Sequence, residues 1–344
     1  MSDVIRASLK SLANAEALDE KTLQSCFAEL LSGEVPPEQI GAFLMGLALR
    51  GETGKELLEG ARVMRANART IEIAGPVLDT CGTGGLGWTS LNTSTASAIA
   101  IAACGGKVAK HGNRSVPPKT GSADVLEALG VSLEVSEPAF LKCIEKAGVG
   151  FLFARTHHSA MRHVAPVRAS LGIRTIFNLL GPLSNPAKAT HQILGVYDPH
   201  WLRPMAEALC ELGVTKAWVV HGVQVDDRAV DEISIAGPTQ VMEVSEGSIR
   251  NLEITPGDLG LKATPLAALE GGAPDFNANA IHAAFENEPS PFLDSIIANA
   301  AAGLHILGIA DSLIGGAEKV RSAISSGAAK ATLSELARIS QSGN

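Results

Sequence analysis

Residues 79–124, DTCGTGGLGWTSLNTSTASAIAIAACGGKVAKHGNRSVPPKTGSAD, decide how this chain is read. They follow a short apolar run ending at Leu78 and pack Gly82, Gly84, Gly85 and Gly87 into six positions. Hydroxyl residues come next: Thr89, Ser90, Thr93, Ser94 and Thr95. A basic cluster closes the stretch, with Lys107, Lys110, His111 and Arg114, and Asn113 among them. Glycines let backbone N–H groups approach an anion closely, and a helix starting just beyond adds a favourable dipole. Hydroxyls donate to phosphate oxygens, and Lys and Arg supply counter-charge. The combination points to a ligand carrying several phosphates. It lies directly after an apolar strand, which is where ligands of open α/β sheets bind.

Outward from this stretch the pattern continues as short apolar runs alternating with helical segments. The spacing predicts strands at 77–81, 107–109, 149–153, 192–197, 217–221 and 240–244. It predicts helices at 94–104, 122–129, 138–147 and 201–212, and near the C-terminus at 295–308 and 316–327. This alternation is the mark of an α/β domain with a mostly parallel central sheet. The first seventy residues differ. They predict helices at 18–31, 36–49 and 55–68 and no strand, hence a small helical domain. The segment 161–183, with Arg162, His163, Arg168 and Arg174, breaks the alternation and is expected to return to that helical domain. The expected division is 1–70 plus a returning segment near 161–190, and 71–160 with 191–344 as the large α/β domain.

The net charge of -8 argues against general nucleic-acid binding, so an anionic ligand must be held by local cations. The five cysteines are odd in number and form no C-x-x-C pair, which suits a reducing compartment and disfavours disulfides or a zinc cluster. The first twenty residues carry no long apolar core of a signal peptide. The uncharged stretch 295–310 is shorter than the ~20 residues of a membrane helix and contains Asn299 and His305. The expectation is a cytoplasmic enzyme with no nucleic-acid or membrane partner.

A second candidate site is VDEIS at 230–234. Asp231 and Glu232 supply the hard oxygen ligands that magnesium takes alongside substrate phosphates. An acidic pair alone is more often a solvated loop, and the phosphate-binding stretch elsewhere is what favours a metal here. Asp226 and Asp227 are weaker candidates. A third is His157-His158 with Arg168, whose guanidinium can fork onto a carboxylate. Spacing alone also allows a surface histidine pair and a surface arginine. The chain has no H-E-x-x-H, no G-x-S-x-G and no P-loop pattern. GTGGLG at 82–87 formally fits G-x-G-x-x-G, but a dinucleotide site needs an acid about 20 residues on, where Lys107 and its neighbours are basic instead.

Taken together, GTGG at 82–85, NTST at 92–95, KHGNRSV at 110–116, GSADVLEALG at 121–130, the HHSAMRHVAPVR run at 157–168, GIRTIFNLLGPLSNP at 172–186 and VDEIS at 230–234 resemble the anthranilate phosphoribosyltransferases. That family belongs with the nucleoside-phosphorylase-like phosphoribosyltransferases, and the likeness runs over nearly the whole chain. It implies a small helical domain hinged to a large α/β domain, and a homodimer formed through the helical parts. It implies transfer of the phosphoribosyl group of 5-phosphoribosyl 1-pyrophosphate to anthranilate, with release of pyrophosphate. The implied sugar-phosphate site comprises Gly82, Gly85, Leu86, Ser90, Asn92, Thr93, Ser94, Thr95, Lys110, His111, Gly112, Asn113, Arg114, Ser115, Val116, Pro117, Pro118 and Ser122. Gly82, His111, Asn113, His158, Arg168 and Pro182 are implied to hold anthranilate, and Ser94, Asp231 and Glu232 two magnesium ions (Mg2+). Lys110, Asp231 and Glu232 are the implied catalytic residues. The sequence departs from the family pattern at Leu86, where an acid usually follows GTGG, at the bulky Trp88, and at Pro117-Pro118, which replaces small hydroxyl residues. The departure at Leu86 keeps a second reading open, a paralogue with another acceptor or a nucleoside phosphorylase.

Overall fold

The computed structural model describes residues 3–115, 120–222 and 228–342. The N-terminal part is helical for local reasons. Helix α1 (Asp3–Ala13) is followed by α2 (Glu20–Ser32), whose start is capped by the Asp19 side chain on the Thr22 N–H. Helix α3 (Pro37–Arg50) carries Pro at its first turn, and α4 (Gly54–Ala66) begins with a capping box between Thr53 and Glu56. Each buries one face at helical spacing, as with Leu23, Cys26, Phe27, Leu30 and Leu31 of α2.

Seven strands form one sheet: β1 (Leu78–Gly82), β2 (Val108–Gly112), β3 (Val149–Phe153), β4 (His191–Gly195), β5 (Lys216–Gly222), β6 (Thr239–Ser245) and β7 (Ser248–Ile254). Their order is β3-β2-β1-β4-β5-β6-β7. The first five are parallel, and β6 and β7 add on antiparallel. The chain therefore runs outward from β1 through β2 to β3, then restarts on the other side of β1 with β4. That reversal opens a crevice at the carboxyl ends of β1 and β4.

The crossovers cover both faces. Helices α5 (Thr93–Ala103), α6 (Ser122–Ala128) and α7 (Glu137–Ala147) come first, then α8 (Ala154–His157), α9 (Ala165–Leu171) and α10 (Ile176–Leu183). Helix α11 (Leu202–Glu211) joins β4 to β5, and α12 (Pro274–Phe285), α13 (Pro291–Ile306), α14 (Leu313–Ser325) and α15 (Ala328–Ser342) finish the chain. Successive strand residues feed opposite cores, as the pleat requires. Ile193, Trp218 and Val220 pack with α5 and α13–α15, whereas Leu194, Ala217 and Val219 pack with α11 and the N-terminal helices. Val164, Ile176, Phe177, Leu179, Leu180 and Leu183 join that second cluster, so the 164–183 segment packs among the N-terminal helices. No helix among the described residues is long and apolar enough to cross a membrane.

Three sequence expectations need correction. The second strand is longer than 107–109, and Lys110, His111 and Gly112 lie on it rather than after it. The edge strand β7 was not expected, because SIRNLEI alternates around exposed polar residues on a solvated edge. Helices α1, α12 and α15 were also not anticipated. Their moderate polarity suits surface helices that bury a single stripe.

Candidate active site

The carboxyl ends of β1, β2 and β3 open on a cavity of about 870 Å³. On one side lies the glycine turn that follows β1. Gly84, Gly85 and Gly87 have φ of 66°, 85° and 79°, a left-handed backbone that side chains resist. The turn is pinned from outside. The Thr83 N–H donates to the Gly195 carbonyl at 2.9 Å, and the Tyr197 N–H donates to Thr83 Oγ1 at 3.0 Å. Trp88 Nε1 donates to the Ala229 carbonyl at 3.1 Å, so the bulky residue anchors the far end of the turn.

Asp231 and Glu232 reach this turn across the sheet. Asp231 Oδ2 accepts from the Gly84 N–H at 2.8 Å, and Glu232 Oε1 accepts from the Ser94 N–H at the start of α5 at 3.0 Å. The two carboxylates thus sit on the backbone donors that an anionic ligand would use. Their position requires two glycines. A Cβ on Gly195 would lie 1.5 Å from the Asp231 carbonyl oxygen, and one on Gly82 would lie 2.2 Å from Asp231 Oδ2. Asn299, buried in α13, fixes the segment by accepting from the Ile233 N–H at 2.9 Å.

Lys110 is buried in the middle of β2, where its ammonium donates to the Thr80 carbonyl and to Ser94 Oγ, the latter at 3.2 Å. Burial pushes its pKa down, while Asp79, Cys81 and Glu232 act the other way. Burial raises Asp231 as well, and burial followed by the Asp231 charge pushes Glu232 up to about 8. A pair of dehydrated carboxylates is thereby left short of positive charge. Among the described residues, no group of three or more His, Cys, Asp and Glu is placed to hold an ion unaided. Two carboxylates with Ser94 Oγ are nevertheless a fitting all-oxygen donor set for magnesium, provided that substrate oxygens and water complete it.

The other end of the cavity is aromatic and cationic. The His111 and His158 rings lie 5.2 Å apart, centroid to centroid, and the Nε2 of each is buried without a partner. Burial lowers both, His158 to about 4, so both rings are neutral near pH 7. Arg168 of α9 stands 5.7 Å from the Phe177 ring and donates to Asn178 Oδ1 at 3.3 Å. Pro182 closes the wall, its carbonyl accepting from Gln192 Nε2 at 2.7 Å.

Gly82, Gly85, Leu86, Ser90, Asn92, Ser94, Lys110, His111, Gly112, Asn113, Arg114, Ser115, Ser122, His158, Arg168, Pro182, Asp231 and Glu232 all line this one cavity. Thr93 and Thr95 do not. Both are buried, with the Thr93 hydroxyl paired to Ser295 Oγ at 3.2 Å. The Arg114 guanidinium is engaged by Glu127 and Asp124. Val116, Pro117, Pro118, Asp226 and Asp227 lie outside the described residues. Three residues escaped the sequence reading. Asp79, fully buried, accepts the His111 N–H at 3.1 Å. Gly195 admits the acidic segment, and Asn277 donates to Asn92 Oδ1 at 2.8 Å. The acid at the start of DTCGTGG was the only local signal for any of them.

Sequence comparison matches residues 6–68 to the helical bundle domain and residues 74–330 to the a/b domain of a glycosyl transferase family. An anthranilate phosphoribosyltransferase of Hyphomonas neptunium is 59% identical over 98% of each chain. The crystal structure of an anthranilate phosphoribosyltransferase from Thermus thermophilus is 42% identical, covers 99% of this chain and 100% of its own, and superposes with a TM-score of 0.89. An anthranilate phosphoribosyltransferase from Saccharomyces cerevisiae, solved in complex with PRPP and Mg, shares the fold at a TM-score of 0.90 and 24% identity, over 99% of each chain.

Proposed function

We infer from the cavity that this chain, which belongs to the anthranilate phosphoribosyltransferase family, performs that family's reaction. It moves the phosphoribosyl group of 5-phosphoribosyl 1-pyrophosphate (PRPP) onto the amine of anthranilate and releases pyrophosphate. The observation that carries this reading is one cavity with three distinct functions. Backbone donors and Lys110 gather at one end, a carboxylate pair lies beside them, and Arg168 stands in an aromatic pocket at the other end.

In this reading the Gly84 and Ser94 N–H groups, Lys110 and the hydroxyls of Ser90 and Ser122 hold the sugar phosphates. Arg168 forks onto the anthranilate carboxylate, and Asn113, His111, His158 and Pro182 hold its ring. Asp231, Glu232 and Ser94 would hold magnesium, two ions in all. Bound there, magnesium neutralises charge on the departing pyrophosphate. Moving the two carboxylates off the Gly84 and Ser94 N–H groups would free the donors that they cap here.

The C1–O bond to pyrophosphate breaks with its electron pair on oxygen, the amine lone pair forms the C1–N bond, and the nitrogen then loses one proton. An aromatic amine is already a neutral nucleophile. Catalysis by these residues is therefore mainly positioning and stabilisation of the leaving group by Lys110 and the backbone donors. The helical residues 1–70 and 161–190 form the mobile partner of the α/β part, and the protein acts as a cytoplasmic homodimer. Met45 and Leu49, exposed one turn apart on α3, support an apolar contact through the helical part.

Loss of anthranilate fluorescence on adding enzyme, PRPP and magnesium tests the assignment. Leu86 gives a second acceptor its one point of support. A panel of aromatic amines, and nucleosides with phosphate, decides it: turnover with another acceptor and none with anthranilate would replace this reading.

A further inference from the structure

Arg174 is not among the residues that line the cavity, yet it reaches the glycine turn that does. It lies between α9, which carries Arg168, and α10, and its side chain is exposed. Its Nη2 donates to the Gly85 carbonyl. Its guanidinium carbon lies 4.1 Å from the centroid of the Tyr197 ring, the shortest cation–ring distance among the described residues. Tyr197 is itself fixed at both ends. Its N–H donates to Thr83 Oγ1, and its hydroxyl accepts from Trp201 Nε1 at 3.0 Å. The backbone under Arg174 is held too, since the Thr175 N–H donates to Asn178 Oδ1 at 3.1 Å, the same atom that accepts from Arg168.

The turn needs such a hold. Three of its residues are glycines with positive φ, so its ordered form is costly in backbone entropy. Asp231 fixes the Gly84 N–H and Trp88 fixes the far end, but the Gly85 carbonyl between them is fixed by Arg174 alone among the described hydrogen bonds. A peptide that flips at Gly85 turns its neighbouring donors away from the cavity.

We propose that Arg174 is a positioning residue for the phosphoribosyl side, a clamp stacked on Tyr197 that sets the direction of the Gly85 peptide and hence of the donors facing the sugar phosphates. This rests on the PRPP reading above and gives a role to a residue of the GIRTIFNLLGPLSNP run to which the resemblance assigns none. The step is purely conformational and Arg174 meets no reacting atom.

The test compares unmodified protein with Arg174→Ala and Arg174→Lys. Steady-state kinetics give both Michaelis constants, and titration calorimetry gives PRPP affinity with magnesium present. Removing a charge-assisted hydrogen bond is expected to raise the Michaelis and dissociation constants for PRPP about tenfold. The Michaelis constant for anthranilate and kcat should stay within about twofold. Arg174→Lys, which can still donate to the Gly85 carbonyl, should recover part of the loss. Should Arg174→Ala not fold, Tyr197→Leu, which removes the ring beneath the guanidinium, is expected to move the PRPP constants in the same direction. Unchanged PRPP constants, or equal rises for both substrates with no recovery by lysine, would overturn the proposal. Unmodified protein that binds PRPP but does not turn over anthranilate would count against the acceptor reading, while calorimetry on the variants would still judge the clamp.

Discussion

At the scale of single residues, the acidic pair explains most of the site's electrostatics. Asp231 is buried and Glu232 half-buried beside it, with pKa values raised by dehydration, so they gain from any cation that shares them. Replacing both with alanine is expected to cost at least ~100-fold in kcat, since stabilisation of the leaving group goes with them; steady-state rates with magnesium and PRPP check this. Leu86 makes the opposite prediction. Restoring an acid with Leu86→Asp is expected to lower the Michaelis constant for PRPP, and no change would show that other groups have taken over that task. His158 sets a pH dependence. Burial depresses it from 6.5 to about 4, so the unfolded chain takes up this proton first. Its contribution to stability is complete above about pH 6.5 and is lost as pH falls toward 4, and His158→Gln should flatten that part of a denaturation series. Motif residues such as Lys110 and Asp231 were legible in the sequence because their chemistry is distinctive. Gly195 was not, because its role comes only from a segment that crosses above it from 36 positions later in the chain, at Asp231.

At the scale of elements, the strand ends do the placing. Lys110 and His111 alternate on β2, so one strand sends an ammonium toward Ser94 and an imidazole toward His158. This division could not be read while the strand was expected to stop at residue 109. The parallel strands β1 to β5 were legible from short apolar runs alternating with helical segments. The edge strand β7 was hidden because a solvated edge imposes no such demand. The tight approach of β4 to the acidic segment gives a direct prediction. Gly195→Ala places a methyl 1.5 Å from the Asp231 carbonyl oxygen, so the segment must move. Overpacking of this kind costs about 1–3 kcal/mol. Chemical denaturation should show that loss, and magnesium-dependent turnover should fall further than the stability loss explains.

At the scale of the whole molecule, an acidic protein holds a polyanion by keeping its cations local. The net charge is -8, and backbone donors, one buried lysine and hydroxyls gather within a single crevice. The crevice exists because the chain reverses direction between β3 and β4, and because the 154–183 segment leaves the sheet to bring His158, Arg168 and Pro182 over its carboxyl edge. The alternation of strands and helices made that sheet legible in outline. The joint cavity was legible only through the family resemblance, since no periodicity tells where a departing segment lands. The most direct measurement is a crystal structure of the protein soaked with PRPP and magnesium. The sugar phosphates are expected against the glycine turn and Lys110, with metal density at Asp231 and Glu232 and both carboxylates turned away from the Gly84 and Ser94 N–H groups. A ligand found elsewhere, or carboxylates still capping those two donors beside an empty crevice, would contradict it.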